Sequence, residues 1–176
     1  MIDWIRIKQL CLYTETGEIK HVKEPDSAWK KSLLLAEHSP IRSVQLLIDV
    51  PGVPSYVQNH LVRHKIGIEF FVHSARPDRG GKPREKQLKT DPCNMLMSAN
   101  PQALINIARK RLCARAEATT RSFIKSLRDD LKEIEPELAA VMVPECIYRG
   151  FCPEGKRSCG FDKTEEFKTQ LEEYRK

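Results

Sequence analysis

The chain has 176 residues with a net charge of +6, 40% hydrophobic and 31% charged. That is enough for one domain with a real core, or for a subunit whose core is completed between chains. No apolar run approaches the roughly 20 residues of a membrane span, and Met1–Leu12 mixes Asp3, Arg6 and Lys8 into its apolar residues, unlike a signal peptide. The expectation is a cytoplasmic protein with anionic partners.

In chain order, Ile2–Tyr13 reads as a strand with Ile5, Ile7, Leu10 and Leu12 as apolar markers, and a turn follows at Thr14–Gly17. Asp26 and Ser27 can cap a helix over Ala28–Glu37, which His38-Ser39-Pro40 stops. Arg42–Val50 alternates as a strand, and Pro51–Pro54 turns. Ser55 opens a helix to about His64, and Phe70–Val72 is extended. Arg76–Thr90 is a basic loop. Asn94–Ser98 is a short extended piece before the main helix, which Asn100 caps with Pro101 at its first position. The helix's apolar stripe runs through Leu104, Ala108, Leu112 and Ala116 and continues at Phe123, Leu127 and Leu131, past a break at Thr119-Thr120. After Pro136 come a short helix over Glu137–Val143, a tail with three cysteines, and a polar terminal helix over Lys163–Lys176, expected exposed or frayed.

Six cysteines stand at 11, 93, 113, 146, 152 and 159. The last three, C-x5-C-x6-C, miss the common zinc spacings. A structural zinc, plain buried thiols and a redox-sensitive tail all remain open, and no metal ligand is assigned.

The densest chemistry lies in His60–Arg76, with three cations (Arg63, Lys65, Arg76), three imidazoles (His60, His64, His73) and Ser74 among apolar residues. A Ser74–His64–Asp49 triad has no support in the spacing. Nucleic acid is not expected as a partner, because aromatics are scarce near the basic loop and no helix-turn-helix or RNA-binding signature occurs. Arginine is the side chain suited to phosphate. Arg63, Arg76, Arg84 and Arg111, drawn together by the fold or by an oligomer, would hold a dianionic phosphate and polarise a ring carbonyl.

Two motifs then resemble one family. Arg63-His64-Lys65 and Ser74-Ala75-Arg76 resemble the start and end of the signature of the flavin-dependent thymidylate synthases (ThyX). Glu37-His38-Ser39-Pro40 resembles the segment before that family's flavin-contacting strand, and Asn100, Leu104, Asn106, Arg111 and Ala116 match its pattern N-x3-L-x-N-x4-R-x4-A in register. The similarity covers about Leu33–Arg121.

The resemblance implies an α+β fold, a small mixed or antiparallel sheet packed with helices, with a site completed in a homotetramer. It implies a ThyX-like domain over 1–145 and a Cys-containing tail with a polar helix over 146–176. Arg63, His64 and Lys65 would contact FAD, as would Asn100 and Asn106. Ser74, Ala75 and Arg76 would bind dUMP, helped by Arg84 and Arg111. Arg63, Ser74 and Arg111 are the candidate catalytic residues. The implied reaction is reductive methylation of dUMP to dTMP, with methylenetetrahydrofolate and NADPH as co-substrates. Methylation or hydroxymethylation of another pyrimidine nucleotide, and a non-catalytic nucleotide or nucleic-acid binder, are the alternatives.

The chain also departs from the family pattern. Lys65 replaces an arginine, Ile68–Phe71 stands where the family has an Asn-Glu pair, Pro77 replaces a tyrosine, and His60 stands where a glutamine is common. The Arg63–Ser74 spacing is one residue longer, and Arg76–Asn100 is shortened. A compact, divergent homologue is expected, a pattern that would fit a viral source.

Overall fold

A computed structural model describes residues 1–176. Eight helices pack on one three-stranded sheet, so the α+β expectation holds. Strand β1 (Leu46–Pro54), β2 (Ile68–Val72) and β3 (Pro92–Ala99) form the order β1-β3-β2, both pairings antiparallel. Leu46 and Ile68 both pair with Ala99, and Val50 and Val72 both with Met95. This register turns Leu46, Val50, Ile68, Met95, Met97 and Ala99 toward the helices, where all six are buried. Alternation leaves Leu47, Phe71 and Leu96 on the outer face, where they are exposed.

The first element is a helix, not the expected strand. Helix α1 spans Trp4–Thr16 and buries Trp4, Ile7 and Cys11. Asp3 accepts from the Arg6 N–H at 2.9 Å to start it, and left-handed Gly17 donates to the Tyr13 carbonyl at 2.8 Å to end it. Buried positions spaced by three and four are helical, whereas the markers that suggest a strand include Ile5, which is exposed. Glu135, itself buried, accepts from the Ile2 N–H (2.5 Å) and the Trp4 indole N–H (2.9 Å), tying the start of α1 to a residue 133 positions beyond Ile2.

Helix α2 covers Ser27–Leu35 under an Asp26 cap, much as expected. A 3-10 turn at Ser39–Ser43 follows, so β1 begins four residues later than the alternation implied. The turn expected at Pro51–Pro54 is a bulge inside β1, with register lost between Val50 and Val53. The Asn94 side chain accepts the Gly52 N–H at 2.8 Å, which supplies a ladder partner across the bulge and lets the strand continue.

Helix α3 spans Ser55–Leu61 and buries Val57 and Leu61. Helix α4 spans Pro101–Arg111; the Asn100 Oδ1 accepts the Ala103 N–H at 2.9 Å, and Leu104, Ile105, Ile107 and Ala108 are buried. It ends at Arg111, earlier than the apolar stripe implied. Thr119 and Thr120 lie in the first turn of α5 (Ala118–Ile134), where the Glu117 carboxylate accepts both their N–H groups, at 2.9 and 2.8 Å. The expected break is present but falls just upstream, at 112–117, and the two β-branched residues mark the start of the next helix. Helices α6 (Pro136–Val141) and α7 (Glu145–Arg149) follow.

The terminal helix α8 (Glu165–Arg175) is docked, not frayed. Phe167 and Tyr174 are buried, and Phe167 meets Phe161 edge to face at 5.8 Å. Ile147, Phe167 and Tyr174 belong to the same core cluster as the sheet and α4.

Candidate functional site

The chain crosses from α3 to β2 through Arg63-His64-Lys65. Two hydrogen bonds fix α3 against α5: Tyr56 OH to the Thr119 hydroxyl (2.9 Å) and His60 Nδ1 with the buried Thr120 hydroxyl (2.8 Å). Arg111, at the end of α4, reaches the same place. Its Nε donates to His64 Nε2 at 3.2 Å, and its Nη2 donates to the His60 carbonyl at 2.7 Å. His64 is therefore an acceptor at Nε2. Burial pushes its pKa below the ordinary imidazole value, and the charges of Arg111 and Lys110 push it the same way. Burial and the neighbouring Arg63 likewise lower the pKa of Arg111.

These residues open on a cleft of about 1100 Å³ whose walls include Arg63, His64, Arg111, Lys110, Arg115 and Arg128. A smaller cavity of about 200 Å³ lies on the β2 side of His64 and Lys65, against Ile68 and Phe70. Cations thus line the cleft, while a neutral imidazole joins its two walls. Such a surface attracts phosphate and offers forked donors to it.

Asn100 and Asn106 sit behind this wall. Asn100 is buried: besides capping α4, it donates its N–H to the Gly67 carbonyl at 2.9 Å, and its side chain fills the space a Gly67 Cβ would occupy. Asn106 is half-buried, its Oδ1 accepting from Gln102 Nε2 and Arg109 Nη1, both at 3.4 Å. Sequence reasoning missed the group around it. Arg109 forms an ion pair with Glu37, and its guanidinium lies 3.4 Å over the Tyr148 ring. Glu37 also accepts from Gln102 at 2.5 Å. Glu37 has φ of 50°, unusual for a residue other than glycine. Helical spacing alone put Arg109 among solvated charges, and the signal that pairs it with Glu37 is tertiary.

Ser74, Ala75, Arg76 and Arg84 do not join the cleft. They lie beyond the far end of β2, a strand of five residues or about 17 Å. Arg76 is exposed and makes a two-pronged pair with Asp78, both bonds 2.9 Å. The Ala75 carbonyl accepts from Gln87 at 2.8 Å, and Arg84 opens a one-turn 3-10 helix in the exposed loop. Within one chain the expected site is two half-sites: Arg63, His64 and Arg111 at the cleft with Lys65 at the smaller cavity beside it, and Ser74–Arg76 with Arg84 apart from it.

The fold is α+β, and cations suited to phosphate line its cleft. No protein-family model matches the chain. A flavin-dependent thymidylate synthase from Clostridium tetani is 34% identical over 66 residues, which is 38% of this chain and 26% of that protein. The chain therefore aligns with about a quarter of that relative's length. A flavin-dependent thymidylate synthase from Nitratidesulfovibrio vulgaris is 25% identical over 197 aligned positions, covering 82% of this chain and 79% of that protein. The fold is similar to that of the UMP/dUMP methylase PolB from Streptomyces cacaoi, solved with 5-Br dUMP, at a TM-score of 0.63 and 12% identity over 78% of this chain and 88% of that one. The chain is similar to flavin-dependent thymidylate synthases, and the family resemblance carried by the two motifs is borne out.

Proposed function

We propose that the protein is a flavin-dependent pyrimidine-nucleotide methylase, a thymidylate synthase-like enzyme that makes dTMP from dUMP with methylenetetrahydrofolate and NADPH. The observation that carries this is Arg111 locking neutral His64 at a cationic cleft, in a chain similar to thymidylate synthases. The donor set fits FAD: Arg63, His64 and Arg111 present cations and an imidazole to a large cleft, as a dinucleotide's pyrophosphate requires, and Lys65 faces the smaller cavity beside it. When bound, FAD would supply the hydride chemistry. The protein's own residues would bind, orient and polarise. The Asn100 Oδ1 is engaged in the α4 cap, so Asn100 would reach the flavin through its amide nitrogen; Asn106 would do so from the Glu37–Arg109 network.

Ser74, Ala75, Arg76 and Arg84 would bind the nucleotide at a neighbouring subunit's cleft. Leu47, Phe71 and Leu96 on the uncovered sheet face support assembly, and a homotetramer is the form proposed. Arg76 would exchange Asp78 for the nucleotide phosphate. Arg63 and Arg111, with Ser74 from the partner, would stabilise negative charge developing on the uracil carbonyls.

The purified protein should be yellow and gain thermal stability with dUMP. A protein that takes up no FAD and is not stabilised by dUMP would reject the reading. The fold shared with a UMP/dUMP methylase makes UMP the comparison substrate, and product masses from UMP and dUMP decide between them.

A further inference from the structure

Four of the six cysteines face the same cleft from three parts of the chain. Cys113 follows the end of α4, Cys146 lies in the first turn of α7, and Cys152 and Cys159 lie in the loop between α7 and α8; all four line the cleft wall. None is in a disulfide. The loop is shaped in advance. Left-handed Gly150 and Gly160 reverse the chain just before Cys152 and just after Cys159. The Asp162 carboxylate accepts from the Cys152 N–H (3.3 Å) and the Ser158 hydroxyl (3.1 Å), and the Ser158 oxygen accepts from the Gly160 N–H (3.0 Å).

We propose that Cys113, Cys146, Cys152 and Cys159 ligate an iron–sulfur cluster. No three His, Cys, Asp or Glu side chains are grouped to hold one metal ion. A polynuclear cluster asks for something different. Each thiolate binds a different iron, so the sulfurs ring a volume instead of meeting at a point. Four thiols lining one cleft from three parts of the chain fit that demand, and C-x5-C-x6-C lacks the short knuckle of structural zinc sites. Arg115, Lys125 and Arg157 line the same cleft and offset the negative charge of four thiolates. Cys146 lies close enough to Cys113 and Cys152 for both to act on its thiol. The cysteines share this cleft with Arg63, His64 and Arg111, so the cluster is tested by a readout that flavin cannot supply.

The test is iron and acid-labile sulfide analysis of full-length protein purified without oxygen. Iron and sulfide should appear in equal amounts, about four of each per chain for a cubane. Cys146→Ser and Cys159→Ser should each lose most of the sulfide, and Cys93→Ser should keep it. Sulfide is absent from flavin, so the result does not depend on whether FAD is bound. Zinc without sulfide, a metal-free protein with free thiols, a disulfide among the four, or sulfide retained in both serine variants would each overturn the proposal.

Discussion

His64 is kept neutral by its surroundings, and this has a sign. Its folded pKa lies below the ordinary 6.5 because burial and two cations oppose the charged form. The unfolded chain takes up the proton first, so stability should fall as pH drops below about 6.5, down to the depressed folded pKa. Thermal melts from pH 8 to 5 should show a smaller acid loss in His64→Gln than in the parent; identical slopes would remove His64 from the effect. Arg111→Ala leaves His64 Nε2 and the His60 carbonyl without their donor and removes a cation from the cleft. It should weaken nucleotide or flavin binding by about 1.5–3 kcal/mol, measured by titration calorimetry. Arg109→Met should destabilise the fold by about 3 kcal/mol, because it strands the Glu37 carboxylate and uncovers Tyr148. Denaturant unfolding checks it, and Glu37→Gln combined with it should recover part of the loss. Arg63, His64 and Arg111 were legible in the sequence because the motif fixes residue type and spacing together. The Glu37–Arg109 pair was not, since nothing local distinguishes a buried guanidinium from a solvated one on a helix.

At the scale of elements, the approach of β2 to α4 is set by a glycine. A Cβ on Gly67 would stand 2.5 Å from the Asn100 Nδ2, on a backbone at φ +73°. Gly67→Ala should cost about 1–3 kcal/mol through the strained backbone and also push Asn100 off its cap. Asn100→Ala removes the cap alone and should cost about 1 kcal/mol. If urea midpoints place Gly67→Ala at or above the stability of Asn100→Ala, the close contact is not what positions the helix. Helix α4 was readable because Asn-Pro at its start has a local mechanism. Helix α1 was misread because Ile5, Ile7, Leu10 and Leu12 overlap two periods, and only burial of Trp4, Ile7 and Cys11 selects the helical one. The docking of α8 escaped the sequence for a related reason: two aromatic anchors, Phe167 and Tyr174, outweigh a mostly charged face.

At the scale of the molecule, the proposed joining of the two half-sites is tested at the uncovered sheet face. Phe71 is 59% exposed, and Leu96 directly opposite it is 38% exposed. Phe71→Glu should lower the oligomeric state, read by sedimentation, and with it nucleotide binding, while leaving the helical circular-dichroism signal intact. A monomeric parent protein would contradict the shared site. The sheet, most of the helices and the cleft motif were legible from one chain; how the proposed half-sites would meet depends on assembly, which no single sequence states.

The bulged strand β1 carries one more consequence. It is an outer strand of the sheet, and Pro51 and Pro54 give it two positions with no N–H, beside a bulge that breaks its register. Strand β2, on the opposite edge, has neither proline nor bulge. If two copies joined by strand pairing, they would meet at β2 about a two-fold axis, and both outer borders of the combined sheet would be β1. Such growth ends after a single step: the molecule is built so that pairing by strands yields a closed pair and never a fibre.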